Sequence, residues 1–203
     1  PLWNNLFFSG MPLISDPQSQ IFYLPSLIFL ALSIDLGFII SAVFHIFLGG
    51  AGAYMLARFG FRFTKLASIF TASLYIMQPK IAGYVQAGHF GLIETTAWIP
   101  FAVLAILKLS EKPNILWAII LAVSLSAIFF THTITFIIVF ISVTLMFLYL
   151  LIVNKKFKKQ LIFFLLAIFF VFGLTAITLL PQLSWLPNTT RSLLLKYPDT
   201  FPK

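Results

Sequence analysis

Long apolar runs alternate with short polar loops along most of this chain. Apolar runs occupy residues 36–57, 66–77, 92–107, 115–130, 134–153 and 161–180. A helix needs about 20 apolar residues to cross roughly 30 Å of hydrocarbon, at about 1.5 Å of rise per residue. Each run therefore reads as a candidate span. The second is short unless Phe63 and Gln78 extend it, and the sixth stops at Pro181. The first 35 residues break the pattern, with Gly10, Pro12, Pro17 and Pro25 set among aromatics and amides. Residues 25–34 are too few to span, so they read as a re-entrant or interfacial helix. The expectation is an all-α, polytopic transmembrane helical bundle of about six spans with an outer loop carrying an interfacial helix. It divides into an extracytoplasmic loop (1–35), the bundle (36–183) and a second extracytoplasmic segment (184–203).

Composition supports that pattern. Of 203 residues 61% are hydrophobic and only 9% charged, and the mean hydropathy is +1.04. A water-soluble domain carries about a quarter charged residues; this chain would leave too much apolar surface in water. With no cysteine, disulfides and thiolate metal sites are excluded. The chain opens at Pro1, inside a loop motif, and so reads as an internal fragment with an upstream segment expected.

The net charge of +8 reports topology, with no sign of nucleic acid as a partner. Arg58, Arg62 and Lys65 fall between runs one and two, Lys108 and Lys112 between three and four, and Lys155, Lys156, Lys158 and Lys159 between five and six. These are alternate loops, so the positive-inside rule puts all three in the cytoplasm. The opposite side then holds the N-terminal loop, residues 79–91, the turn at His132 and the tail. Trp117, Trp98 and Trp185 fall near run ends, as interfacial aromatics do.

Ionisable groups at membrane depth are costly and tend to be functional. Asp16, in Ser15-Asp16-Pro17-Gln18-Ser19-Gln20, can orient a hydroxyl, hold a metal or take a proton, or it can simply close a turn before Pro17. Glu94 falls about one turn into run three, where it either answers the helix dipole or needs His89, Lys80 or His132 as partner. His89 and His132 share the outer side, and the plain alternative for His132 is a polar turn residue. His45, one turn before Gly49 and two before Gly52, reads as a buried interhelical hydrogen-bond partner on a small-residue face. Lys80, Arg191 and Lys196 are outer cations able to neutralise a phosphate, or ordinary solvated charges. There is no phosphate-cradling Gly loop, no HExxH and no GxSxG.

The string Pro1-Leu2-Trp3-Asn4-Asn5, then Ser9-Gly10-Met11-Pro12-Leu13, Asp16-Pro17-Gln18-Ser19-Gln20 and Phe22-Tyr23-Leu24-Pro25, resembles the first large outer loop of YfhO-like and 6-pyruvoyl-tetrahydropterin-synthase-related bacterial and archaeal membrane proteins. Those are similar to the GT-C superfamily of glycosyltransferases. His45 to Tyr54, and Gly88-His89 followed by Trp98-Ile99-Pro100, extend the resemblance over the first half of the chain, to about Leu107. It implies inverting hexosyl transfer from a polyprenyl-phosphate-linked sugar donor to a glycan or lipid acceptor at the outer face of the cell membrane. It also implies a principal base before Pro1, a supporting or metal-holding role for Asp16, and His89 near the donor phosphate. With the residues above, Asp16 and Glu94 become candidate catalytic groups. Gln18, Tyr23, Lys80, His89, His132 and Arg191 become candidate substrate-binding groups. No cofactor follows beyond a divalent cation, Mg²⁺ or Mn²⁺, at Asp16. Two other readings stand beside this one: a transporter or flippase, and a non-catalytic membrane scaffold.

Overall fold

The computed structural model describes residues 3–6, 10–154, 157–189, 192 and 196. Arg191, Lys155 and Lys156 lie outside the described residues. Among the described residues seven α-helices follow a short N-terminal segment: α1 (Ile34–Met55), α2 (Lys65–Ile76), α3 (Pro79–Gln86), α4 (Phe90–Glu111), α5 (Ile115–Thr131), α6 (Thr133–Asn154) and α7 (Phe157–Trp185). The N-terminal segment pairs strands β1 (Trp3–Asn4) and β2 (Met11–Pro12) antiparallel. Two 3-10 helices follow, Leu13–Ser15 and Leu24–Leu30. Where a helix was expected over residues 25–34, the second of these forms over Leu24–Leu30. Pro25 sits in its first turn, where its missing N–H costs nothing.

Among the described residues four helices are long and apolar enough to cross a membrane: α1 with its π-helical extension Leu56–Gly60, α4, α6, and α7 with its 3-10 extension through Asn188. The other two expected spans form shorter helices. α5 has 17 residues, about 25 Å, and α2 has 12, about 18 Å. Tyr75, near the end of α2, donates its hydroxyl proton to the Thr96 carbonyl at 2.7 Å. α2 therefore ends beside the first half of α4. Pro100 explains why that carbonyl is available, since a proline at i+4 has no N–H to give it.

The central helix is α4. α1 packs on one side of it, close enough that a Cβ on Gly49 would sit 3.3 Å from the Ala97 Cα. The small-residue face expected on this helix thus meets α4. On the other side α4 joins α5, α6 and α7 in one apolar core, including Ala105, Leu109, Leu121, Leu125, Phe147 and Val171. Phe147 and Phe164 stack at 4.0 Å and 9° within it. The opposite faces of α6 and α7 expose Ile138, Ile141, Leu145, Phe169 and Leu174, which suits helices whose outer faces meet lipid.

Two of the basic loops and the start of α7, which carries Lys158 and Lys159, come together at one end of the bundle. Arg62 pairs with Glu111 at 3.1 Å, and Lys108 with Glu111 at 2.7 Å. Gln160, at the start of α7, donates to the Ser110 carbonyl. The opposite end carries the N-terminal segment, the start of α4 and the α5–α6 turn.

Candidate functional site

At that second end, residues 18–25 cross the mouth of the bundle as a strap. Asp16 prepares its start: its Oδ1 accepts from the Gln18 N–H at 2.9 Å, the turn geometry of an Asp before a proline. Gln20 follows with φ 51, a left-handed conformation uncommon outside glycine. Its Nε2 donates to the Thr131 carbonyl at 3.3 Å and ties the strap to the end of α5. Gly91 makes this approach possible. A Cβ there would lie 2.6 Å from the Thr131 oxygen and 2.7 Å from Gln20 Nε2.

Two cavities open on the strap. A polar one of about 480 Å³ is lined by Gln18, Gln20, His89, Gly91, Thr131 and His132, with Phe38 and Phe90 as an aromatic wall. Those two rings stack at 4.4 Å and 28°. An apolar groove of about 320 Å³ is lined by Phe22, Tyr23, Leu24 and Pro25 from the strap, by Phe44 and Trp98, and by Ala127 and Phe130 of α5. Successive residues of one strap thus wall both spaces, and adjacent residues of α5, Phe130 and Thr131, do the same.

His132 serves the fold and the cavity together. Its Nδ1 accepts the Thr135 N–H at 3.2 Å, which caps the first turn of α6. An Nδ1 that accepts a backbone proton carries none of its own, so the neutral ring places its proton on Nε2. Burial lowers the His132 pKa below the ordinary value, and the nearby His89 lowers it further. The ring is neutral at pH 7 and offers an N–H donor.

Beneath the strap lies a buried polar chain. Tyr23, 3% exposed, donates to His45 Nε2 at 2.5 Å and accepts from Trp98 Nε1 at 2.8 Å. Burial raises the Tyr23 phenol above its ordinary pKa, so it stays a donor. His45 Nδ1 bonds the Ser41 carbonyl at 2.7 Å, and Ser41 Oγ donates to Glu94 Oε1 at 2.9 Å. Glu94 Oε2 is buried with no hydrogen-bond partner. Thr95 and Thr131 join α4 to α5 through their hydroxyls at 2.6 Å.

The polar cavity collects Gln18, His89 and His132 from the expected site residues. Tyr23 lies in the groove wall. Glu94 is 3% exposed and lines neither space; its partner is Ser41 on α1, with the Gln20 amide nearby, in place of the expected His89, Lys80 or His132. Lys80 stands on α3, its ammonium 5.4 Å from the Tyr84 ring centre, and lines neither space. His45 has both ring nitrogens engaged, and its partner on the strap takes the place of the expected neighbouring helix. Trp98 is part of the chain under the strap, beyond its expected role as an interfacial aromatic. Sequence reasoning missed Gln20, Phe38, Phe90 and Ser41. The four-residue spacing of Ser41 and His45 on one helix face was the available signal for the last.

Mg²⁺ and Mn²⁺ favour carboxylate oxygens. The cavity lining supplies none, and among the described residues no three His, Cys, Asp or Glu side chains converge. A zinc-like ion would need a lone pair on His132 Nε2, which carries the proton. The described residues do not fit the divalent cation expected at Asp16. In comparisons with protein-family models, with curated proteins and with solved structures, nothing matches this chain.

Proposed function

We propose that this protein is a GT-C-like membrane glycosyltransferase, moving a sugar from a polyprenyl-phosphate-linked donor at the extracytoplasmic face of the cell membrane. One observation carries the reading. A polar cavity and an apolar groove share a wall, the strap of residues 18–25. A lipid-linked sugar has the same division into a polar head and an apolar chain. In the proposed pose the head lies among Gln18, Gln20, His89 and His132, and the first isoprene units lie along Tyr23, Trp98 and Phe130.

The chemistry follows from these groups. The acceptor hydroxyl attacks the anomeric carbon and loses its proton to a base; the anomeric C–O bond breaks and its electron pair leaves with the lipid phosphate. Neutral donors aimed at the leaving phosphate stabilise that charge as it develops. Gln18, Gln20 and the His132 Nε2–H are such donors. Asp16 acts by holding Gln18 through the turn. Glu94 acts from below, through Ser41.

The test is turnover of polyprenyl-phosphate hexoses, labelled in the sugar, by the full-length protein in proteoliposomes. Release of labelled sugar to acceptor or water is the expected result. Gln18→Ala and His132→Ala should each slow it about 10- to 100-fold, the loss of one hydrogen bond to a charged group. No turnover of any hexose donor, together with solute uptake that requires His45, would replace this reading with a transporter. Neither turnover nor uptake, with outer substitutions tolerated in cells, would leave a scaffold.

A further inference from the structure

Both halves of the proposed site take walls from one strap, so whatever seats the strap shapes the site. Backbone hydrogen bonds alone do little of this. Residues 18–23 form no regular element, and Gln20 holds an uncommon conformation. The seat is the buried side-chain chain, and its protons have a single consistent arrangement. An indole N–H only donates, so the Tyr23 oxygen accepts from Trp98. A carbonyl only accepts, so His45 Nδ1 carries the ring proton that bonds Ser41. His45 Nε2 is then a bare acceptor, placed 2.5 Å from the Tyr23 hydroxyl. His45 is 1% exposed and lines neither the polar cavity nor the groove.

We propose that His45 is a positioning residue: by accepting the Tyr23 hydroxyl proton it seats the strap, and so sets affinity for a lipid-phosphate substrate it never touches. The proposal rests on the amphiphile reading of the two cavities. His45 lies on α1, while Tyr23 approaches from the strap and Trp98 from α4. The Tyr23 hydroxyl therefore ties the strap to two helices, to α1 through His45 and to α4 through Trp98. Replacing His45 by Leu removes the acceptor and leaves the Tyr23 hydroxyl bonded only as an acceptor from Trp98. Replacing it by Gln restores an acceptor oxygen with an amide N–H to answer Ser41.

The native chain has no cysteine, so two can be introduced for spin labels. Ile21→Cys on the strap and Leu116→Cys at the far end of α5 are exposed, at 42% and 56%. In nanodiscs, pulsed dipolar spectroscopy should give one narrow distance distribution for the doubly labelled parent. Tyr23→Phe, which deletes a single oxygen, and His45→Leu should each broaden it; His45→Gln should return it to narrow. In the same samples, undecaprenyl phosphate should bind His45→Leu about tenfold more weakly than the parent, the effect of one buried hydrogen bond. His45→Gln should bind close to the parent. Narrow distributions in both Tyr23→Phe and His45→Leu, or equal affinity in His45→Leu and parent, would overturn the proposal. A parent that binds no undecaprenyl phosphate would sink the amphiphile reading and the substrate half of the proposal together. The distances would still decide whether His45 seats the strap.

Discussion

The two halves of α4 face opposite chemistry. Around residues 93–98 the helix packs Ile93 and Ala97 and also hydrogen-bonds Ser41, Tyr23, Tyr75 and Thr131, each bond with few acceptable partners. Around residues 102–109 it meets Leu121, Leu125, Phe147 and Val171, and contacts are apolar packing. The apolar half gains stability from close packing that many similar side chains could supply. The polar half gains less net energy per bond but admits few arrangements, because each unmade bond leaves a buried group unsatisfied. The site stands on the half that specifies position, and the half that stabilises lies away from it.

Substitutions can break that division, starting with the largest effect. Phe147→Ala removes a ring with no exposure, stacked on Phe164. It should cost about 3 kcal/mol, the low end for a core Phe, since lipid already solvates apolar groups. Denaturant titration in mixed micelles measures the cost, and ligand affinity per folded molecule should be unchanged. Gly91→Ala inverts the pattern. Its methyl would press on the Thr131 carbonyl and the Gln20 amide, costing about 2 kcal/mol, and the strap must shift. Calorimetry should show a moderate loss, with ligand binding falling much further than for Phe147→Ala. If Phe147→Ala harmed binding more than Gly91→Ala, the two halves would not be separable.

His132 gives a finer test. His132→Ala should lower stability by about 1 kcal/mol through the lost cap, while His132→Asn should keep it. The folded ring titrates below its ordinary value because burial disfavours its charge. On acidification the unfolded ring takes up its proton first, near pH 6.5, so stability falls as pH drops below about 6.5. His132→Asn should flatten that part of the melting-temperature profile between pH 7 and 5. The smallest effect belongs to the far end of the bundle. Arg62, whose side chain is 76% exposed, makes its ion pair with Glu111 in water. Arg62→Ala should change stability by less than about 1 kcal/mol, and less still in high salt.

The same division governs what could be read from sequence. The apolar runs around α1, α4, α6 and α7 were legible because hydrocarbon demands length and continuity. The grouping of the basic loops at one end was legible because charge alternates between loops. The shortness of α2 was legible as well: the run 66–77 forms Lys65–Ile76, and Gln78-Pro79 stops its extension. His89, His132 and Gln18, which line one cavity, could be named as candidates from type and position. Their convergence could not, because it depends on Gln20 reaching Thr131 across 111 residues of chain. Glu94 shows the limit most clearly. Its side and depth were legible, but its partner lies on α1, at a register that only the packed helices fix.

Whether the groove under the strap seats an isoprenoid chain is decided by photo-crosslinking of the full-length protein in nanodiscs with undecaprenyl phosphate bearing a diazirine on its first isoprene unit. Labels are expected on strap residues 22–25, Trp98 and Phe130, displaced by unlabelled undecaprenyl phosphate and absent in Trp98→Arg. Labels spread along the exposed faces of α6 and α7, at Ile138, Ile141 and Phe169, and unaffected by competitor, would contradict a chain seated there.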